Sequence, residues 1–475
     1  MALVKAAASA VVLWTGFRAV SDDDFARTVI AEEWARSPRW DASGTSWLPL
    51  PFWISGAAMK LAGRSLDTAR GVALVLGVVA ALLVYAAARW MGEERGPATA
   101  GAVVAAVFPW SARLGVATVP ELFTAALTLL AMAALVPAQA GAPLGGGRRL
   151  LLGGAALLAA TLSRYEAWPV ALIFAAICAA DGLRSGAGRA AGIGAAALAL
   201  AGPIAWLGWN RVRHGDALHF LARVAAYRQA LGDGGAPGRL LGYPLAMVRE
   251  EPEIVALFAA AALVTLAGGG VRGVRERLAP YARPGLIAIA LIAALSLAML
   301  KDGAPTHHPE RAVLAPLLLI AVAGGALSAR ALLTGGSRLA RGLALAGAVA
   351  LAAGIGRRGP GEGFMPRADE VALGRALATR APPGEPALVE VADYGYLAVE
   401  AALGRPEDAV PDRSVDPRDT KATSSFTDAD ALRRRLAASG ARWVAARIGE
   451  PVRAVLGAPV LERGGWGAFA VEPPR

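Results

Sequence analysis

Long apolar runs separated by short arginine-bearing segments recur along the first 356 residues of this chain. Stretches long enough, or nearly so, to cross a hydrocarbon layer of about 30 Å fall at residues 3–20, 66–88, 98–111, 119–137, 149–163, 167–183, 188–209, 253–268, 284–300, 311–329 and 340–356. The pattern predicts a mainly α, polytopic transmembrane helical bundle of about eleven spans over residues 1–356. Two intervals between spans are unusually long, residues 21–65 and 210–252. Both keep periodic apolar positions, and the first also carries tryptophans, which predicts ordered structure in the membrane interface and points to active-site duty.

From Arg357 the character changes. "GRRGPGEGFMPRADE" reads as a linker, and residues 370–475 as a small α/β domain, so 357–475 forms a second unit. "PALVEVAD" and "ARWVAARIG" are strand-like, "YGYLAVEAALG" is a helix ending at Gly404, and "VLERGGWGAFAVEP" carries the turn glycines of a hairpin.

Composition agrees with the membrane reading: the 475 residues are 56% hydrophobic, with a mean hydropathy of +0.47. The net charge of +11 is not gathered into a basic face of the kind that holds nucleic acid. Instead it follows the positive-inside rule. With the N-terminus inside, the inner segments carry Lys5, Arg89, Arg95, Arg148, Arg149, Arg184, Arg189, Arg272, Arg275, Arg277, Arg283, Arg330, Arg338 and Arg341, whereas the short outer segments around Arg113 and Arg164 carry little. Residues 21–65 then lie outside, and an odd number of spans puts the C-terminal domain there too. The first span, ending in "GFRAVS", lacks a small-x-small cleavage pattern and reads as a retained anchor. The Ala/Gly/Arg-rich composition suits a multi-pass protein of a bacterial inner membrane. One cysteine, Cys178, inside an apolar run, excludes an internal disulfide framework and a cysteine metal cluster.

The chemistry-bearing stretch is "SDDDFARTVIAEEWARSP" directly after the first span. Ser21 and Asp24 have capping-box spacing, and Phe25, Val29, Ile30 and Trp34 make one face of an interfacial helix. A cap needs at most two acids. Asp22, Asp23 and Asp24 side by side repel one another near lipid unless a cation, metal or proton offsets them. Downstream, "TSWLPLPFW" sets Trp47, Trp53, Pro49 and Pro51 in a stiff aromatic segment that serves as an interfacial belt or a wall for substrate. "TLSRYEAWPV" places Arg164, Tyr165, Glu166 and Trp168 at the outer ends of two spans. The aromatics are belt residues; Arg164 and Glu166 are expensive there and read as functional. Glu121 opens a span behind Pro120, either as a helix cap or as a second carboxylate facing the aspartates. "KDGAPTHHPER" brings His307, His308 and Arg311 to another outer junction. With Asp22 and Asp24, His308 offers a possible divalent-metal set; no other cofactor is implied. His214, His219, Tyr227 and Arg228 in the second long interval are weaker acceptor-site candidates.

An acidic cluster after span one, an amphipathic helix and then "TSWLPLPFW" before span two resembles the GT-C glycosyltransferases, closest to the protein O-mannosyltransferase and lipid A aminoarabinose transferase grouping (glycosyltransferase family 39 type). The likeness covers about 350 residues by topology, and about thirty by sharp motif. It implies a multispan bundle with an outer C-terminal domain, a polyprenyl-phosphate sugar donor and a glycan, lipid or protein acceptor. In that family an acidic pair in the first outer loop, commonly Asp-Glu followed by an aromatic residue, contains the catalytic base. Here Asp22-Asp23-Asp24-Phe25 supplies acids and aromatic without the Glu, so the register is open; Asp22 comes first and Asp23 second. The resemblance also implies that Arg164, His307, His308 and Arg311 hold the donor phosphate, with Glu121, Tyr165, Glu166 and Trp47 around the substrate. An acceptor hydroxyl must lose its proton as it attacks, while a polyprenyl phosphate leaves as a stable anion, so one base and a basic clamp imply a single inverting displacement.

Three other readings compete. Asp22-x-Asp24 matches the acid-x-acid pattern of soluble nucleotide-sugar transferases, but its flanks are a span and an interfacial helix, not a nucleotide-binding domain. A transporter or flippase would place its ionisable residues at mid-membrane in repeated halves. A membrane scaffold leaves the adjacent aspartates without a reason.

Overall fold

The computed structural model describes residues 1–137, 146–184, 188–230, 241–300, 309–333, 338–357, 365–413, 416 and 423–471. The chain opens with α1 (Ala2–Trp14), α2 (Asp23–Arg36), α3 (Leu50–Ala62), α4 (Leu66–Trp90), α5 (Arg95–Val107), α6 (Pro109–Leu114), α7 (Glu121–Ala134), α8 (Gly147–Thr161), α9 (Ala167–Arg184) and α10 (Arg189–His214). It continues through α11 (His219–Ala230), α12 (Gly242–Glu250), α13 (Pro252–Leu300), α14 (Pro309–Ala312), α15 (Leu314–Leu333) and α16 (Arg338–Arg357).

Among the described residues, Leu66–Trp90, Arg189–His214, Arg275–Leu300 and Leu314–Leu333 are long and apolar enough to cross a membrane, and several further apolar helices are shorter. The chain is a multi-pass helical bundle. α7 and α15 form its centre; every residue of α7 except Phe123 is buried. Glycines let the helices approach closely. A methyl built on Gly101 of α5 would stand 2.5 Å from the Val322 carbonyl of α15.

Four expected spans differ in form. The run 98–111 is broken by Pro109 into α5 and α6, because proline has no N–H to continue the ladder. The first helix ends at Trp14 rather than near residue 20, as Gly16 (φ 91°) turns the chain. Helical geometry runs without interruption from Pro252 to Leu300, where two separate spans were expected. This segment nevertheless doubles back. A Cβ on Gly273 would lie 3.7 Å from the Thr265 carbonyl oxygen, whereas eight residues of straight helix span about 12 Å.

Lys5 corrects the orientation argument in one detail. It was counted in an aqueous inner segment, but it is fully buried in the bundle. Its Nζ donates to the Ala106 carbonyl (3.2 Å) and the Ser111 carbonyl (2.5 Å). The Pro109 break explains why. Glu251 Oε1 takes the Trp110 N–H (2.8 Å) that would have bonded Ala106, so the freed carbonyl needs another donor.

The first long interval is ordered, as expected, but it holds a second helix, α3, that the tryptophans and prolines had masked. Pro51 sits in its first turn, where the absent N–H is harmless.

The C-terminal unit comprises α17 (Ala368–Arg380), β1 (Ala387–Val389), α18 (Tyr396–Leu403), β2 (Ala409–Pro411), α19 (Ala429–Ser439), β3 (Trp443–Arg447), α20 (Glu450–Leu456), β4 (Leu461–Arg463) and β5 (Trp466–Ala470). Its sheet has the order β2-β1-β3-β5-β4. The β2, β1 and β3 strands are parallel, and β5 pairs antiparallel with β3 and with β4. Gly464 and Gly465 (φ 52° and 81°) make the expected hairpin turn. Helices α17 and α18 cover one face through Leu373, Leu377, Val399 and Leu403. Helices α19 and α20 cover the other through Leu432 and Val452.

This domain docks on α2. Phe25 and Val29 of α2, Leu66 of α4, Val371 of α17 and Ala398, Ala401 and Ala402 of α18 share one apolar cluster, rimmed by an Arg64–Glu407 ion pair at 2.8 Å. Glu32 of α2 is also buried, with no hydrogen-bond partner for either carboxylate oxygen among the described residues. Burial pushes its carboxyl well up, and pushes that of Glu400 on α18 up to about 8. A carboxyl raised in the folded state contributes stability that is full below its unfolded pKa of about 4.3 and is lost as pH rises through the folded value. Glu400→Gln should therefore raise the melting temperature by several degrees near pH 8 and change it little near pH 4. A difference that is constant across this range would contradict the assignment.

Candidate functional site

The triplet of aspartates is divided among three jobs. Asp24, in the first turn of α2, is buried. Its Oδ2 accepts from the N–H groups of Val20 (3.0 Å) and Ser21 (3.2 Å), and its Oδ1 from the Thr118 N–H (2.8 Å). The Thr118 hydroxyl donates to the Asp24 carbonyl at 2.7 Å. Burial pushes the Asp24 carboxyl up, against the pull of the N–H groups and of the Arg311 charge. Half of the predicted capping box is thus present: Asp24 reaches back to Ser21, while the Ser21 hydroxyl faces Arg311 instead. Asp22 is gripped at two points by Arg367, Nε to Oδ1 at 2.9 Å and Nη2 to Oδ2 at 3.1 Å. Arg367 also holds Glu370 and Asp393, each at 3.0 Å, so Asp22 ties the bundle to the C-terminal domain. Asp23 differs from both. Its side chain is 44% exposed, and its nearest charged contact is Arg311 Nη1 at 3.5 Å.

Around Asp23 the fold gathers buried arginines. Arg311, from the short α14 before α15, is 6% exposed. Its Nη2 donates to Ser21 Oγ (3.1 Å) and its Nη1 lies 3.8 Å from Glu121 Oε1. Arg164 donates to Glu121 Oε1 at 2.6 Å and pairs through Nε with Glu166. Glu121, expected as cap or second carboxylate, therefore anchors both arginines at the start of α7, and Arg164 and Glu166 do pair despite their two-residue spacing.

Arg27, overlooked in the sequence, completes the set. It is 8% exposed, and its guanidinium lies 4.4 Å from the Trp47 ring centroid and 5.7 Å from that of Phe52. Its Nε and Nη1, together with Arg311 Nε, are buried without a hydrogen-bond partner among the described residues. Buried N–H donors of a cation almost always have acceptors.

The remaining candidates divide. Trp47 forms the wall under Arg27. Tyr165 belongs to an aromatic brace: its hydroxyl donates to the Ser46 carbonyl (2.7 Å), accepts from Trp206 Nε1 (3.0 Å), and its ring stacks on Phe220 at 4.6 Å. His214 and His219 stack on each other at 4.1 Å. His307 and His308 lie outside the described residues, as do the side chains of Tyr227 and Arg228. Among the described residues no group of three His, Cys, Asp or Glu could hold a metal, and the oxygens of Asp22 and Asp24 are already engaged by Arg367 and by N–H donors.

No family model and no curated protein matches the chain. Solved structures do. ArnT from Cupriavidus metallidurans bound to undecaprenyl phosphate superposes with a TM-score of 0.60 at 14% identity, over 98% of this chain and 97% of that one. Its apo state gives 0.58 at 15% identity over the same shares. The archaeal oligosaccharyltransferase AglB from Archaeoglobus fulgidus, in complex with an inhibitory peptide and a dolichol-phosphate, gives 0.52 at 13% identity, over 94% of this chain and 69% of that one. The chain shares the overall fold of these solved structures.

Proposed function

We propose that this chain is a membrane glycosyltransferase that moves a sugar from a polyprenyl-phosphate donor to an acceptor hydroxyl at the outer face of the membrane, by a single inverting displacement. One observation carries the reading: an accessible carboxylate, Asp23, stands beside buried arginines whose N–H donors lack an acceptor. Asp23 takes the proton of the incoming hydroxyl as it attacks the anomeric carbon. Arg27 and Arg311, with Arg164 held by Glu121, receive the phosphate oxygens as the sugar–phosphate bond breaks and negative charge grows there. Asp24 and Thr118 fix the start of α2, so that Asp23 and Arg27, one helical turn apart, face one another's neighbourhood.

The isoprenoid tail has a path. A narrow seam between α3, α4 and α7 is lined by Ile54, Val72, Leu76 and Phe123, with Thr118 and Ser163 also on its walls. Those two are neighbours of the polar site, so a lipid phosphate among the arginines would put its tail into apolar surroundings. Two buried ionisable groups among the described residues speak against a transporter: Lys5 is spent on backbone carbonyls, and Glu93 is locked by Arg330 (2.8 Å) and the Tyr281 hydroxyl (2.6 Å).

The reading predicts that the purified protein in lipid nanodiscs binds undecaprenyl phosphate. Given a labelled polyprenyl-phosphate sugar and membranes of its own host, it should release polyprenyl phosphate and label an acceptor with inverted anomeric configuration. Failure to bind the lipid phosphate, or transfer with retained configuration, would overturn it.

A further inference from the structure

A second basic concavity lies apart from the aspartates, where the bundle rim meets the C-terminal domain. It encloses about 500 Å³ and is lined by Arg18, Arg70, Ala368, Val371, Ala372 and Arg375. None of these is among the charged residues of the transferase site. Arg18 follows α1, Arg70 lies early in α4 and Arg375 comes from α17, so bundle and domain both supply cations. We propose that this notch binds the headgroup phosphate of an anionic phospholipid from the surrounding leaflet.

The polar contacts of the three guanidiniums leave most of their N–H groups available. Arg18 Nη1 donates to the Phe17 carbonyl (3.1 Å) and Arg70 Nη2 to the Arg18 carbonyl (3.1 Å). Asp67 Oδ1 accepts from Arg375 Nη2 (2.6 Å) and lies 4.0 Å from Arg70 Nη1. Three cations against one carboxylate leave two net positive charges. Each guanidinium has five N–H donors in a planar fork that fits phosphate oxygens, so a phosphate can bridge the three without breaking these bonds.

Depth selects a lipid over a soluble anion. Arg18 and Arg70 lie just beyond or within the ends of apolar helices that meet the membrane rim, and Trp14, four residues before Arg18, is 87% exposed, as an interfacial aromatic is. The notch therefore sits at headgroup height with a wall of Ala368, Val371 and Ala372 from the domain above it. A phosphate held by Arg375 on one side and by Arg18 and Arg70 on the other would fasten the domain to the rim.

Each charged contact near an anionic leaflet favours binding about fivefold, so two net charges predict a preference of roughly 30-fold for phosphatidylglycerol over phosphatidylcholine. The full chain, delipidated and then titrated with each lipid, should show this by native mass spectrometry. The Arg18→Ala/Arg375→Ala double variant should lose the preference. Its contacts are exposed, so it should fold, and undecaprenyl phosphate binding should persist, which separates this site from the transferase reading. Equal retention of the two lipids, or an unchanged preference in the variant, overturns the proposal. Displacement of phosphatidylglycerol by equimolar inorganic phosphate would mark a free-phosphate site instead, and overturn it equally.

Discussion

Asp23→Asn should lower sugar transfer about 10²–10⁴-fold, the range for loss of a general base, while leaving the protein folded. The substitution is nearly isosteric, the carboxylate it removes is half-exposed with one ion-pair contact at 3.5 Å, and Arg311 keeps its bond to Ser21 Oγ and its contact with Glu121. An amide cannot take the acceptor proton, so the loss should fall on kcat with donor binding retained. The neighbouring aspartates should behave differently. Asp22→Asn weakens the two-point grip of Arg367 and should act mainly on docking of the C-terminal domain. Asp24→Asn turns an NH2 group toward N–H donors of Val20, Ser21 or Thr118, leaving buried donors unpaired at about 1–3 kcal/mol each, and should lower the melting temperature. Turnover and thermal melts of the three variants in nanodiscs check this. Wild-type kcat in Asp23→Asn beside an inactive but stable Asp22→Asn would move the base to Asp22.

What the sequence made legible follows the range of the interaction. Apolar periodicity marked the spans and the existence of α2 because burial of one face leaves a local signature, but Phe25 and Val29 of α2 pack against the C-terminal domain rather than lying in the membrane interface. The strand around Val444 and the helix ending at Gly404 were readable for the same reason, and the hairpin from its two turn glycines. Lys5 was misplaced because a lysine near a chain start looks the same whether it faces water or caps the carbonyls of a broken helix more than one hundred residues away. The doubling back of α13 left the apolar spacing readable, although no coil residue separates its two arms.

The site divides along the same line. Aspartates in a row announce themselves. Arg27 could have been found, since it stands one turn from Asp23 and Asp24 on the same helix face; an arginine on the buried side of an interfacial helix is itself the signal. Arg367 could not, since its role comes from meeting Asp22 across 345 positions, within a stretch whose composition reads as a linker.

Arg27 carries the second large effect. Arg27→Gln should reduce transfer about 10²–10³-fold, as loss of a preorganised donor to developing charge does, and Arg27→Lys should restore little, because a point charge reproduces neither the fork nor the stack over Trp47. A structural reading of Arg27 makes the opposite prediction for stability. Were its guanidinium there to hold the fold, truncation would destabilise the protein. Its Nε and Nη1 are instead buried and unpartnered, and burial holds its pKa below the usual range against the pull of Glu121 and Asp23. Replacing a buried charged group whose donors lack acceptors by an apolar side chain of similar volume is often neutral or stabilising. Arg27→Met should therefore melt at or above the wild-type temperature without ligand. Undecaprenyl phosphate should raise the melting point of the wild type by binding only the folded state, and should no longer do so in this variant. A variant that melts lower but keeps the full lipid-induced shift would remove Arg27 from the phosphate site and leave Arg311 and Arg164 to hold the leaving group.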